Sequence, residues 1–567
     1  MFRGEIMKED TKGLYLAIIL SLVIIFVTNM IFPSSPTPAA NQEAVAVPAA
    51  ETAQSPRQDS TSTPVMAEET VIGIDEALKQ NPRVLLKNNA VSGSIRVLGA
   101  RFDDIMLDKY KQTLAPDSKD VELLTPAQTA HPYYAEFGWL SNSPTVKLPT
   151  KDTLWTVKTK ELTPETPLIL EWNNGQGLKF IRKVSLDDNY MFTIDDTVEN
   201  NTGRNITLYP YGLISRTPDL EASSTSVVHE GMTGVFDNTL HEVKYKSLDK
   251  GESKEFKTKG GWAGFSDRYW FSTVILNNLQ ETTVKYRNTD GATYQVDYLG
   301  QPVVITAGTA GTNNIRMFAG AKEIKLLDSY TTQYNIPKFD LAVDFGWYYF
   351  LTKPFFYILD FLYNLIGNMG WAILLFAALL RLVMYPVAGK SYESMSKMKK
   401  LQPKLKTLQE RYKDDKMKLQ QETMALYRKE KINPAAGCLP LLIQIPVFFS
   451  LYKVLNIAIE IRHAPFIGWI KDLSAPDPLT LSVITHLPVP GLLDIGVWPI
   501  IMGITMYIQQ KLNPAPTSKD QARMFAMLPV IFTFMLGHFA SGLVIYWTLS
   551  NILSIIQQKA IMRKNGV

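Results

Sequence analysis

Residues 354–560 repeat long apolar runs separated by short polar breaks. A bilayer core offers no water to satisfy backbone N–H and C=O groups, so such runs cross it only as helices or as a closed barrel. Their lengths suit helices, which need about 20 residues to span the hydrocarbon. Spans are predicted near 355–385, 437–458, 495–512, 524–540 and 542–561, the first of them including a turn or two outside the hydrocarbon. Pro440, Pro446, Pro499 and Pro529 fall inside these runs, where neighbouring helices tolerate a kink. One further run, Leu14–Phe32, holds 19 residues without a charge, enough to span roughly 30 Å. It follows a short N-terminus, 1–13, and reads as a retained anchor. A signal peptide cleaved near Ala44-Val45-Ala46 is the other reading, although signal cores usually reach only about 7–15 residues.

The rest of the chain has a different texture. A mean hydropathy of −0.03 over 567 residues averages two unlike halves. Residues 33–70 are Pro- and Ala-rich with no aromatic side chain, which predicts a flexible linker. Residues 71–336 alternate apolar and polar positions, as at Tyr190, Phe192 and Ile194, with the turn signal Asn200-Asn201-Thr202-Gly203 before NITLYPYGLIS. TVKYR at 283–287 and TYQVDYL at 293–299 repeat the pattern, and a large antiparallel β-sandwich is predicted. Leu341, Phe345 and Tyr348 share a helical face beside Trp347, Tyr349 and Lys353, which predicts an interfacial amphipathic helix over 340–353.

Several function classes are excluded. The net charge of +4 is too small to suggest a specific nucleic-acid partner, and no phosphate-binding loop is present. The single Cys438 rules out an internal disulfide framework. The six histidines lack metal-ligand spacing, so no metal, cofactor or catalytic residue is expected.

Charge orients the spans. Segment 386–436 carries thirteen basic and six acidic side chains, +7, whereas 459–494 carries two and four, −2. Lys511, Lys519 and Arg523 flank the loop 513–523, and Arg563 and Lys564 lie in the tail 562–567. The positive-inside rule then puts 386–436, 513–523 and both termini in the cytosol. The β domain and the loop 459–494 are left on the outside.

Two features point to function. Arg381 interrupts AILLFAALLRLVMYP, where an ionised arginine costs roughly 2.5–3.5 kcal/mol at mid-bilayer. It lies four residues before Tyr385, so snorkelling to the headgroups is one reading. Polar residues on other spans favour a hydrated groove as the second: Gln444, Thr505, Gln509, and the stripe Trp547, Asn551, Ser554 and Gln558 on one face of the last span. The second feature is a cytosolic helical hairpin over 389–432. Met398, Leu401, Leu405, Leu408 and Tyr412 stripe one arm, and Met417, Met424 and Tyr427 the other. Such a stripe zips two arms together, but methionine also suits varied apolar partners. The lysines there are a solvated face or a contact for anionic lipid.

Over 353–560 the chain resembles the YidC membrane-protein insertases, bacterial relatives of the Oxa-type insertases. The resemblance rests on RLVMYP at 381–386, SMSKMKKLQPKL at 394–405, MALYRKEKINPAAGCLPLLIQIPVF at 424–448, APFIGWIKDLSAPDP at 464–478 and SGLVIYWTLSNILSIIQQ at 541–558. It implies a membrane α-helical bundle of six spans, five forming the core, plus a large antiparallel β-sandwich periplasmic domain and the cytosolic hairpin. It further implies that Arg381, Gln444, Thr505, Gln509, Tyr546, Trp547, Asn551 and Ser554 line a groove for nascent membrane proteins. The hairpin residues Met395, Met398, Met417, Met424, Lys399 and Lys400 would meet clients or the machinery that delivers them. Implied partners are the Sec translocon, the ribosome, the signal recognition particle receptor and membrane lipids. Two departures stand out: Ala377 is apolar where the enterobacterial form suggests a polar residue, and the tail is shorter than the long basic tails of some members.

The rival readings are a membrane-anchored sugar-binding or enzymatic β domain and a small-solute transporter, though no repeat symmetry supports the latter. The charge balances predict that a cysteine placed in 459–494 reacts with an impermeant thiol reagent added from the periplasmic side. One placed in 405–420 should stay unlabelled, and the reverse pattern would overturn the orientation.

Overall fold

The computed structural model describes residues 71–220, 228–346, 348–413, 415–430, 432–433, 439–514 and 519–566. All fall within the unit Gln58–Val567. The expected anchor 14–32 and linker 33–70 lie outside the described residues, as do parts of the loops 386–436 and 513–523.

Two mostly antiparallel sheets build the β domain, one of eleven strands and one of nine. The expected runs are strands: Glu281–Asn288 pairs with Tyr294–Leu299 in the first sheet, and Ile206–Arg216 lies beside the latter. Alternation decides which side chains go inward. In Met191–Asn200, Phe192, Ile194 and Val198 are buried with polar neighbours less so. Phe192 of one sheet meets Phe102 of the other edge to face at 5.6 Å. Gly320 is demanded by close approach, because a Cβ there would fall 2.2 Å from the Tyr190 ring. A buried ion pair also joins the layers. Arg182 donates to Asp196 through Nε and Nη2 at 2.7 and 2.8 Å, and Nη2 also donates to the Phe137 carbonyl of the opposite sheet at 2.8 Å. A pair this deep gains little net stability, but losing one partner strands a charge.

The helices, in chain order, are α1 (Ile74–Lys79), α2 (Ile324–Gln333), α3 (Tyr349–Ile366), α4 (Met369–Lys400), α5 (Gln402–Arg411), α6 (Lys416–Lys429), α7 (Leu439–Ile457), α8 (Leu481–Thr485), α9 (Val497–Leu512), α10 (Lys519–Leu536) and α11 (Ser541–Lys564). Among the described residues only α4 is long and apolar enough to cross a membrane by length and composition. The apolar stretches Leu442–Ile457 and Ala522–Leu536 are shorter.

Two expected boundaries are corrected. The stretch 355–385 is two helices, not one. Gly367 ends α3 in the left-handed region at φ 77°, and the Asn368 side chain caps α4 by accepting from the Trp371 N–H at 3.1 Å. The amphipathic helix expected over 340–353 is α3 itself, beginning at Tyr349. Only a 3-10 turn, Phe339–Ala342, precedes it, because Gly346 adopts φ 72° between them. Pro386 does not stop α4, which runs unbroken to Lys400.

The β domain is bonded to the helices at several points. Arg268 donates to the Asn456 carbonyl at 2.7 Å, Lys453 pairs with Asp344 at 2.7 Å, and Lys353 with both Asp328 and Asp340 at 2.8 Å. Glu460 is the buried member of this junction. Its Oε1 accepts from the Ile324 N–H at the start of α2 at 3.2 Å, and its Oε2 has no partner among the described residues. Burial, with Glu323 and Asp360 adding repulsion, raises its pKa to about 7. The unfolded chain releases this proton near the ordinary 4.5, so stability falls as pH rises from there to about 7 and stays lowered above. Glu460→Gln keeps a carbonyl for Ile324 and removes the charge. It should therefore be more stable than the parent at pH 8, by on the order of 3 kcal/mol, and equal to it below pH 4.5. Thermal unfolding of the detergent-purified protein across pH checks this, and a constant difference at all pH values would contradict it.

Candidate functional site

Helix α11 carries the site. It packs against both α9 and α4, and a row of its polar side chains is buried: Ser550, Asn551, Ser554, Gln557 and Gln558. A polar group shut away from water must find a partner within the protein, which fixes how its neighbours approach. Gln444 of α7 donates to the Tyr546 hydroxyl at 3.0 Å. Asn551 donates to Thr505 Oγ1 of α9 at 3.0 Å. Gln557 donates to the Tyr385 carbonyl of α4 at 3.1 Å, and Gln558 to Asn513 Oδ1 at 3.2 Å.

Arg381 closes the seam from α4. Its Nη2 donates to the Ser550 carbonyl at 2.9 Å, to Ser550 Oγ at 3.0 Å, and to Ser554 Oγ. Among the described residues no carboxylate pairs with it. Hydroxyls and a carbonyl hold its Nη2 without cancelling its charge. The side chain is half-buried and points across to α11 rather than along α4 to the headgroups. Ala377, one turn earlier, is buried, so this part of α4 adds no polarity.

The sequence-predicted residues divide. Arg381, Gln444, Thr505, Tyr546, Asn551 and Ser554 come together on the seam. Gln509 is half-buried on α9. Trp547 stands apart from the polar seam, in an apolar cluster with Met502, Leu536 and Val544, 4.7 Å from the Phe448 ring and 5.9 Å from Phe532. Four residues before Asn551 is close enough for one helical face, but its indole is shared among α7, α9 and α10. Ser550 and Gln557 were missed. Continuing the Ser554 stripe by one turn each way reaches both.

The hairpin residues also divide. Met395 is corrected: it is buried with Ala388, Tyr392 and Ile561, so α11 covers it. Met398 packs beside Leu401, Leu405, Tyr427 and Ile432, the cluster that zips α5 to α6. Lys404 reinforces this by pairing with Glu430 at 2.9 Å. Met417 and Met424 remain exposed, at 74% and 39%. Lys400 is exposed and Lys399 half-buried.

The family model described as the YidC periplasmic domain matches residues 83–358, and the 60Kd inner membrane protein model matches 361–566. The chain is 46% identical to the membrane protein insertase YidC of Beijerinckia indica subsp. indica, over 99% of this chain and 97% of that protein. It is 50% identical to that of Methylobacterium radiotolerans, over 87% of this chain and 82% of the other. A crystal structure of an active YidC insertase, 19% identical, covers 85% of this chain and 95% of its own, with a TM-score of 0.37.

The seam geometry predicts a coupling between Arg381 and the two serines. Ser550→Ala with Ser554→Ala should destabilise the helical part by about 1–2 kcal/mol, the range for bonds between helices in lipid. In an Arg381→Ala background the same pair should cost nearly nothing, because the shared bond is already gone. Unfolding in detergent or bicelles measures the cycle, and equal losses in both backgrounds would break the link.

Proposed function

This chain belongs to the YidC family of membrane protein insertases, and from that premise we propose that Arg381 is the charge that draws a client's polar tail into the helical bundle. The protein is an insertase of the bacterial inner membrane with a periplasmic β domain, and its substrates are nascent membrane proteins. Its activity is insertion rather than a chemical reaction.

The observation that carries the proposal is the uncancelled guanidinium. Arg381 is held by Ser550 and Ser554, not by an acid, so it can attract a passing carboxylate without first breaking an ion pair. Buried acceptors of Gln557 and Gln558 lack protein partners among the described residues, which favours water in the seam. Short helices favour a thinned bilayer around it. α9 has 16 residues and α10 has 18, or about 24 and 27 Å against a usual hydrocarbon thickness of about 30 Å. A wet, thin path lowers the barrier for a polar tail. The apolar segment that follows it then slides into lipid.

The finer topology belongs to the same reading. Six spans comprise Leu14–Phe32 with α4, α7, α9, α10 and α11, and both termini are cytosolic. Helix α3 lies along the periplasmic interface, its outer face carrying exposed Phe350, Phe361 and Leu365. On the cytosolic side Met417 and Met424 with Lys400 offer a contact for clients, the ribosome or the signal recognition particle receptor, and the bundle works alone or beside the Sec translocon. Met398 supports the hairpin from within, and Met395 packs against α11.

Insertion of matched single-span clients with neutral, acidic or basic tails tests the proposal, normalised to insertase abundance. Arg381→Lys should retain much of the activity. Arg381→Ala should slow acidic-tailed clients most, by about tenfold for each 1.4 kcal/mol of lost attraction. Arg381→Glu should be worst for them, since like charges then meet in a partly desolvated site. A response independent of tail charge would sink the electrostatic part.

A further inference from the structure

The segment between α7 and α9 holds an inverted loop. Between Asp477 and Asp494 there is no Asp, Glu, Lys or Arg. Those two aspartates tie its base from within. Asp494 accepts from the Ser482 N–H at 2.8 Å and from Ser482 Oγ at 2.6 Å. Asp477 accepts from Trp469 Nε1 and the Trp498 N–H, both at 2.8 Å, and from the Leu479 N–H at 3.0 Å. Gly496 is required there, because a Cβ would fall 2.4 Å from Asp477 Cβ. A bridge between Thr480 and Gly496 closes the neck.

The lobe so formed ties its base with polar groups and turns apolar side chains out, with Thr485 and His486 exposed between them. Val483, Ile484, Leu487 and Leu493 are 46–64% exposed. A loop meant for water shows the opposite pattern. What covers these side chains follows from where the lobe is fastened. His538, just past the apolar end of α10, is bonded to the Gly491 carbonyl at 3.0 Å. Phe466 lies 5.6 Å from Trp371 in the first turn of α4, beside exposed Ile467 and Trp469. The lobe also leads directly into α9. It is therefore continuous with the ends of three apolar helices whose outer faces meet lipid, with Trp371 and Trp469 at the level where indoles mark the headgroup boundary.

We infer that the 479–493 lobe is a lipid-inserted element, its apolar tip seated at the headgroup–acyl boundary of the leaflet next to the β domain. The lobe has no charge to desolvate and its backbone is tied by the two aspartates, so entry into that boundary costs little and covers the exposed tip. It makes this part of the loop a fixed anchor beside α9 and α10.

The test is a nitrobenzoxadiazole label at Ile484→Cys, in full-length protein carrying Cys438→Ser, reconstituted in phosphatidylglycerol–phosphatidylethanolamine nanodiscs. Leu487→Cys serves as a second site, and Leu114→Cys on the β domain as an exposed control. Lipids with a nitroxide at acyl carbon 5 should quench both lobe labels strongly, those with a nitroxide at carbon 12 weakly, and iodide hardly at all. The control should show the reverse. Nanodiscs expose both membrane faces and no client is needed, so the result is independent of the orientation and of the insertase mechanism. Quenching by iodide without quenching by lipid would overturn the inference. Shielding from both quenchers would do so equally, by showing that protein covers the tip.

Discussion

Lipid cannot accept or donate a hydrogen bond, and the helical half of this protein follows from that constraint. Helix α11 brings a row of buried polar side chains, Ser550, Asn551, Ser554, Gln557 and Gln558 among them, and each needs a partner inside the protein. Gln444 answers from α7, Thr505 from α9, and Arg381 and the Tyr385 carbonyl from α4. Each bond is modest in isolation, well under 2 kcal/mol in lipid. Together they set which face of α11 turns inward. The same row explains why α11 does not stand out as an apolar span: its polarity is turned toward the bundle, where composition alone cannot place it.

The β domain is fastened to this bundle rather than tethered to it. Arg268, Asp344, Lys353 and Glu460 join the sheet side to α7, α3 and the first turn after α7. Charge pairs at half-exposed positions contribute little each. Their spread along the junction fixes orientation instead. Glu460 is the exception, because a buried carboxyl with one idle oxygen makes the junction sensitive to proton concentration. Arg462 adds a bond to the Gln112 carbonyl at 2.9 Å and stands over the Trp270 ring, so the loop after α7 and the sheet share one surface.

Much of this was legible in the sequence, and the failures are informative. Period-two alternation at Tyr190, Phe192 and Ile194 located strands because burial on one face leaves no other pattern. Arg381 was conspicuous because charge in an apolar run is costly. The stretch 355–385 was read as one span because hydropathy is continuous there. Gly367-Asn368 is a stop followed by a cap, and two residues of turn chemistry outweigh thirty of apolarity. Trp547 and Met395 show a different limit. Helical spacing gives the face of a residue but not the neighbour across from it, and both side chains are claimed by tertiary contacts with distant segments. Ser550 lies one turn before Ser554 on the same stripe, so its place was legible; that its carbonyl and hydroxyl both accept from Arg381 was not.

Under the proposed role of Arg381, an unpaired arginine also sets the direction of insertion. A carboxylate about 4 Å from Arg381 gains roughly 4 kcal/mol at an effective dielectric of 20. A spanning segment of about 20 apolar residues gains roughly 6–12 kcal/mol on entering lipid, at about 0.3–0.6 kcal/mol each. The attraction is thus large enough to bring an acidic tail into the seam and too small to hold it once the segment behind it reaches the bilayer. Had an acid on α7, α9 or α11 paired with Arg381, that first attraction would have been spent within the protein. Serine partners avoid this. They keep the guanidinium in place through neutral bonds and leave its charge uncancelled, which is what the proposed attraction of a client's tail requires.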